Sequence, residues 1–179
     1  MPSMKILLIA GGWSSEREVS LTGARGMQEA LLKRGHAVTF FDLLENFDEL
    51  LETARQHDFA LINLHGSPGE DGLVQAMLER AGCPYEGSGP SGSFLALNKA
   101  AAKQIFRMAG LPTADWEFLP VRPAEGWEPR LPWPLFVKTT TGGSSLRLGR
   151  ATNRQELDAL MDEIFAAGEG VLIEPQLPD

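Results

Sequence analysis

Three short apolar runs at residues 5–10, 37–42 and 59–64 alternate with stretches of helical apolar period at residues 18–34 and 45–56. That order leaves few architectures open. Strand, helix, strand, helix, strand is the pattern of a parallel sheet, and right-handed crossovers lay its helices over a twisted sheet. A further short strand is expected near residues 83–86. One helix is expected over residues 91–109, ending at Gly110 as its C′ glycine with Pro112 just beyond.

The loop after the third run is the chemically densest part of the chain. Leu64-His65-Gly66-Ser67-Pro68-Gly69-Glu70-Asp71-Gly72 gathers one histidine, two acids and three glycines. Leu73, Val74, Met77 and Leu78 then recur at helical spacing, so the cluster occupies a strand-to-helix loop, where open α/β sheets bind ligands. Any one of these residues alone reads as a turn or cap residue; the run as a unit points to a site.

A second loop of the same kind lies upstream, Gly11-Gly12-Trp13-Ser14-Ser15-Glu16-Arg17-Glu18. Ser15 with Glu18 fits an S-x-x-E capping box. A helix N-terminus here favours an anionic group of a ligand. The residues leave two readings of Glu16 open, an ordinary first-turn acid or a partner for an ammonium group, the latter suiting an amino acid.

From Thr113 the composition changes. Residues 116–119 read as a strand, and residues 120–133 form a connection rich in proline and glycine with no apolar period. A smaller α+β unit follows. It has strands at residues 135–139 and 146–150, a helix opened by Asn153 with Glu156, and a last strand at residues 171–174. The helix buries Leu157, Leu160, Met161, Ile164 and Phe165. Lys138 ends an apolar strand beside Thr139-Thr140-Thr141-Gly142-Gly143-Ser144-Ser145, whose N–H groups suit phosphate. This is not a Walker A pattern, because the lysine precedes the glycines. By itself such a loop reads as a mobile segment, and such a lysine as solvated.

A length of 179 residues admits one large domain, or one domain and part of another, and 43% hydrophobic content supplies a core. The formal charge of -8, with no basic stripe to offset it, excludes a nucleic-acid surface. Apolar runs fall short of the roughly 20 residues that cross a bilayer, so no membrane partner is expected. Met1-Pro2-Ser3-Met4-Lys5 opens no signal-peptide core. Cys83 has no second cysteine to pair with, and a reducing cytoplasm is the expected location.

Seven short patterns fall in one order along the whole chain: the two loops above, Tyr85-Glu86-Gly87-Ser88-Gly89, Leu97-Asn98-Lys99, Leu111-Pro112-Thr113, Pro134-Leu135-Phe136-Val137-Lys138 and Val171-Leu172-Ile173-Glu174. Together they resemble the amino-terminal part of the D-alanine:D-alanine ligase family, ATP-grasp enzymes of peptidoglycan synthesis. The resemblance implies a Rossmann-like parallel-sheet pre-ATP-grasp domain at residues 1–112, including a linking helix. It implies the first, α+β half of an ATP-grasp domain at residues 113–179.

Carried over residue by residue, the resemblance implies that Lys99 and Lys138 hold ATP phosphates, with Ser144 and Ser145 in the loop that closes over them. Glu174 would accept from the adenine amino group, with Leu177 beside adenine. Glu16 would bind the ammonium of the first D-alanine, His65 would lie near its carboxylate, and Ser144 would bond toward Glu16. Glu70 would fix the His65 loop; its reading as a helix-cap acid stays open. The implied reaction transfers the ATP γ-phosphate to a D-alanine carboxylate and lets the amine of a second D-alanine attack the acyl phosphate. The resemblance also implies a homodimer through the first domain.

The family's Mg²⁺ ligands and second-substrate residues would lie beyond Asp179, so these 179 residues alone are expected to be inactive. Gly142 stands where the family's loop carries an acid, Arg147 where it carries its last glycine, and Pro175-Gln176 where a basic and an apolar residue are common. These departures leave two alternatives: a divergent ATP-grasp ligase for another amino acid, and a non-catalytic nucleotide-binding or dimerisation module.

Overall fold

The computed structural model describes residues 2–143 and 146–178. Two compact units emerge, Met1–Phe94 and Leu95–Asp179.

In the first, strand β1 (Lys5–Ala10) is central. Helix α1 (Arg17–Lys33) leads to β2 (Ala37–Asp42), and α2 (Leu43–Asn46), a 3₁₀ turn (Phe47–Glu49) and α3 (Leu50–Ala54) lead to β3 (Phe59–Ile62). The sheet order is β2-β1-β3, all parallel. Side chains alternate across it. Leu8 and Ala10 pack with Ala24 and Leu21 of α1, while Leu7 and Ile9 pack with Leu50 and Ala54 of α3 and with Val74 and Leu78 of α4 (Leu73–Ala81). Both faces are covered, as a parallel sheet requires.

The single helix expected over residues 45–56 is broken. The break falls at Asn46, whose backbone leaves helical geometry at φ -128°, while its Nδ2 donates back to the Asp42 carbonyl at 3.1 Å. The strand expected near residues 83–86 is reduced to one parallel bridge, Ala60 to Tyr85. The capping box of Ser15 and Glu18 does not form either. Glu16 is the N-cap residue of α1 and makes no side-chain cap bond, and the Ser14 hydroxyl instead accepts from the Glu16 N–H at 3.2 Å.

The helix expected over residues 91–109 is two, α5 (Pro90–Leu97) and α6 (Lys99–Met108). Asn98, extended at ψ 99°, separates them, and its side chain caps α6 by accepting from the Ala101 N–H. Helix α6 packs with the second unit, where the sequence reading assigned it to the first. The Lys99 N–H donates to the Thr140 carbonyl at 2.9 Å, and Lys103 reaches Thr113 and Glu174.

The second unit is an antiparallel sheet in the order β4-β7-β5-β6, formed by β4 (Glu117–Leu119), β5 (Leu135–Thr139), β6 (Gly149–Ala151) and β7 (Val171–Pro175). Helix α7 (Arg154–Ala166) covers one face, its Leu157, Met161 and Ile164 against Leu135, Val137, Val171 and Ile173. Asn153 caps α7 through the Glu156 N–H at 3.0 Å, at the residue the sequence pattern indicates. Strand β6 starts later than the expected residue 146, because Leu146 and Arg147 lie in a turn, with Arg147 at φ 53°. The connection at residues 120–133 is partly anchored: Trp127 and Leu131 pack on this core.

Candidate functional site

Two groups of polar residues stand out, one in each unit. In the first unit, the loops after β1 and β3 come together at the carboxyl end of the sheet. Gly12 at φ 77° and Gly66 at φ 64° hold the left-handed conformation that favours glycine, and a Cβ on Gly12 would also lie a tight 3.2 Å from Leu64 Cδ2 of the other loop. The buried Ser20 hydroxyl accepts from the Gly11 N–H at 2.8 Å and donates to the Asn63 carbonyl. Asn63 Nδ2 returns a bond to the Ser20 carbonyl at 2.6 Å.

Glu16 stands at the start of α1 and His65 is half-buried just beyond β3. The exposed Glu70 accepts from the Gly66 N–H at 3.0 Å and so closes the loop that follows His65. It does not cap the next helix. Asp71 takes that part, accepting from the Leu73 N–H at 2.9 Å and from the Ser67 hydroxyl. Two further supports carry no motif in the sequence. Arg17 donates through both terminal nitrogens to Asp42, at 2.7 and 2.6 Å, tying the start of α1 to the end of β2. Those hydrogen bonds hold the Asp42 carboxyl below its usual range. Glu86 accepts from the Ile62 N–H at 2.6 Å, extending the ladder at the β3 edge with a side chain; burial pushes its carboxyl above the usual range.

In the second unit, Lys99 and Lys138 line one cavity of about 250 Å³ with Thr139, Gly142, Gly143, Leu146 and Leu148. Lys99 Nζ donates to the Gly142 carbonyl. Burial, and then the charge of Lys138, push the Lys99 ammonium below its usual range. Two cations held near each other and partly desolvated favour an anionic guest.

Glu174 lies across from Phe136 in the β5–β7 register and is thus diagonal to Lys138 on the face away from α7. Its carboxylate is bound on both oxygens, Oε1 by Lys103 at 2.5 Å and Oε2 by Lys138. Burial works against the charged carboxylate, yet the hydrogen bonds from the two lysines outweigh it and hold Glu174 below its usual range. Leu177 is exposed just past β7. Ser144 and Ser145 lie outside the described residues.

Lys103 is the residue that sequence reading missed. A lysine in mid-helix reads as solvated, but Lys103 is only 7% exposed. Among the described residues no group of three or more His, Cys, Asp or Glu side chains gathers as a metal site, and no helix is long and apolar enough to cross a membrane.

The family model described as the D-Ala–D-Ala ligase C-terminus matches residues 104–178. The D-alanine–D-alanine ligase of Desulfovibrio desulfuricans is 75% identical over 175 residues, spanning 98% of this chain and 57% of that protein. That of Nitratidesulfovibrio vulgaris (strain Hildenborough) is 62% identical, spanning 98% of this chain and 58% of its own length. Among solved structures, the D-alanine–D-alanine ligase of Bacillus anthracis superposes with a TM-score of 0.86 at 35% identity, covering 98% of this chain and 58% of that one. The same enzyme complexed with ATP gives 0.84 at 34% identity, covering 98% and 60%. The chain therefore spans somewhat more than half the length of the relatives it matches. Along nearly all of its own length it is related to the amino-terminal part of these ATP-grasp ligases.

Proposed function

We propose that this chain is the amino-terminal portion of an ATP-dependent D-alanine:D-alanine ligase. The observation that carries the reading is the joint placement of Lys99, Lys138 and the Gly142–Gly143 backbone around one cavity, with Glu174 on the neighbouring strand. A polyanion fits the lysines, and a carboxylate on the adjacent strand fits a base amino group. The kinship with ligases, one of them solved with ATP, names the polyanion.

In this reading Lys99 and Lys138 neutralise ATP phosphate charge, and Glu174 accepts from the adenine amino group with Leu177 beside the ring. Ser144 and Ser145 belong to the closing loop. Glu16 holds the ammonium of the first D-alanine, and His65 faces its carboxylate from a loop that Glu70 keeps closed. The carboxylate oxygen attacks the γ-phosphorus and ADP leaves. The amine of a second D-alanine then attacks the acyl phosphate, and phosphate leaves to give the dipeptide. Oriented donors and exclusion of water are what such an intermediate demands. The described residues offer no ligand cluster for Mg²⁺, and no step here is assigned to it.

One observation favours a variant of this reading, a ligase of the same chemistry for another amino acid. Gly142 stands where the family loop carries an acid, and a Cβ there would lie 2.2 Å from Thr139 Oγ1, so this loop is built around the smaller residue. The experiment supplies the full-length protein with ATP and a panel of D- and L-amino acids and follows ADP release. D-alanine as the preferred substrate supports the leading reading. Preference for another amino acid supports the variant, and no amino-acid-dependent ADP release removes both. We further propose a cytoplasmic setting and a homodimer, in keeping with the family; sedimentation of the full-length protein as a monomer at micromolar concentration argues against the dimer.

A further inference from the structure

Glu174 has two lysine partners, and they are not equivalent. Lys103 comes from α6 and its side chain is 9% exposed, against 25% for Lys138. Its ammonium is engaged on several sides: Glu174 Oε1 at 2.5 Å, the Thr113 hydroxyl at 2.7 Å, and the Trp116 ring with its centroid 5.2 Å away. Arg107 stacks on the same ring at 4.0 Å, fixing the ring that Lys103 packs against. Lys138, by contrast, lines the cavity together with Lys99.

We propose that Lys103 is a positioning residue that locks Glu174 as the base-reading acceptor, while Lys138 is its exchangeable partner, leaving Glu174 for phosphate when a nucleotide enters. The inference rests on the reading of Glu174 as the acceptor for an adenine amino group. Its physical basis is the inventory of the carboxylate. An ionised carboxyl offers about four acceptor sites. Lys103 takes one on Oε1, so release of Lys138 opens Oε2 without leaving the charge unpaired in a site where burial opposes it. A carboxylate fixed in this way accepts from the 6-amino group of adenine and repels the 6-oxo group of hypoxanthine. Lys103 therefore sets the preference between purine bases although it does not line the cavity.

Binding of ATP and of ITP to the full-length protein, measured directly by calorimetry, tests this. Lys103→Met is expected to narrow the ATP-to-ITP affinity ratio by about tenfold, the size of one charge-assisted hydrogen bond. Lys138→Met is expected to weaken both nucleotides by the same factor, since phosphate is common to them. Lys103→Arg, which keeps the charge, is expected to recover most of the ratio. Should Lys103→Met not fold, Thr113→Val loosens the same ammonium and is expected to narrow the ratio to a smaller degree.

A ratio unchanged in Lys103→Met, or in Thr113→Val where the former does not fold, overturns the proposal even if both nucleotides bind more weakly, because a purely structural lysine does that. A ratio that moves as much in Lys138→Met overturns the division of labour. Glu174→Gln is the control on the premise: if it leaves the ratio intact, the adenine reading of Glu174 fails, and that failure is distinct from a failure of Lys103.

Discussion

Ser20 and Asn63 are bound to each other twice: the Ser20 hydroxyl donates to the Asn63 carbonyl, and Asn63 Nδ2 donates to the Ser20 carbonyl at 2.6 Å. Through the Gly11 N–H, which donates to the same hydroxyl, this pair links the loop after β1 to the end of β3. The two glycine-bearing loops thus share one buried hinge point. Asn63→Ala leaves the Ser20 carbonyl without that donor, and the expected cost is about 1–3 kcal/mol. Ser20→Ala strips both the Gly11 N–H and the Asn63 carbonyl of a partner and costs more. Urea unfolding followed by tryptophan fluorescence gives both values. An Asn63→Ala protein as stable as the parent contradicts the assignment.

Glu174 gives a pH signature. Its carboxyl is depressed in the folded protein by Lys103 and Lys138, below its ordinary value of 4.5. Stability from this group is therefore fully present above the unfolded value and is lost as the pH falls through the lowered folded value. Glu174→Gln is expected to be less stable than the parent at neutral pH and to close that gap under acid. Unfolding free energies of the two proteins across the acid range test it; a gap that is constant with pH refutes it.

Arg147 occupies a backbone conformation that usually belongs to glycine, at φ 53°. That strain is about 1–2 kcal/mol, whereas the entropy a glycine loses on folding is about 0.5–1 kcal/mol. The Arg147 to Glu163 contact, at 3.9 Å and solvent-exposed on the glutamate side, offers little in return. Arg147→Gly is expected to stabilise the second unit by up to about 1 kcal/mol, read as a higher urea midpoint. A lower midpoint means that Arg147 has a partner of more consequence than Glu163.

Glu70 separates loop order from stability. Its bond to the Gly66 N–H is exposed, so Glu70→Ala is expected to cost under about 1 kcal/mol. In the full-length protein, under the proposed ligase reading, the same substitution is expected to raise KM for the amino acid severalfold by loosening the His65 loop. An unchanged KM refutes a role for Glu70 in that loop.

The sequence was most legible where one local signal decided the outcome. The apolar runs gave β1, β2, β5 and β7 closely, and Asn153 with Glu156 marked the start of α7. It misled where a polar side chain intervened in an otherwise regular pattern. Expected helices break at Asn46, whose backbone leaves helical geometry, and at Asn98, whose side chain caps the next helix, and apolar periodicity registers neither. The supports of the site were not legible. Lys103 and Glu174 are 71 positions apart on a helix and a strand, and Arg17 and Asp42 also meet through the fold, so neither spacing nor composition pairs them. The glycines of the two loops read as turn residues in the sequence, and the structure adds that Gly12 also sits in tight approach to Leu64 of the neighbouring loop. The expectation for Ser144 and Ser145 lies outside the described residues.

The most direct test of the ligase reading follows oxygen. The full-length protein is given MgATP and D-alanine carrying ¹⁸O in its carboxylate, and the products are weighed by mass spectrometry. Phosphoryl transfer to that carboxylate, followed by amine attack, sends one ¹⁸O per turnover into inorganic phosphate together with the dipeptide. Phosphate free of label, or label in AMP, contradicts the account.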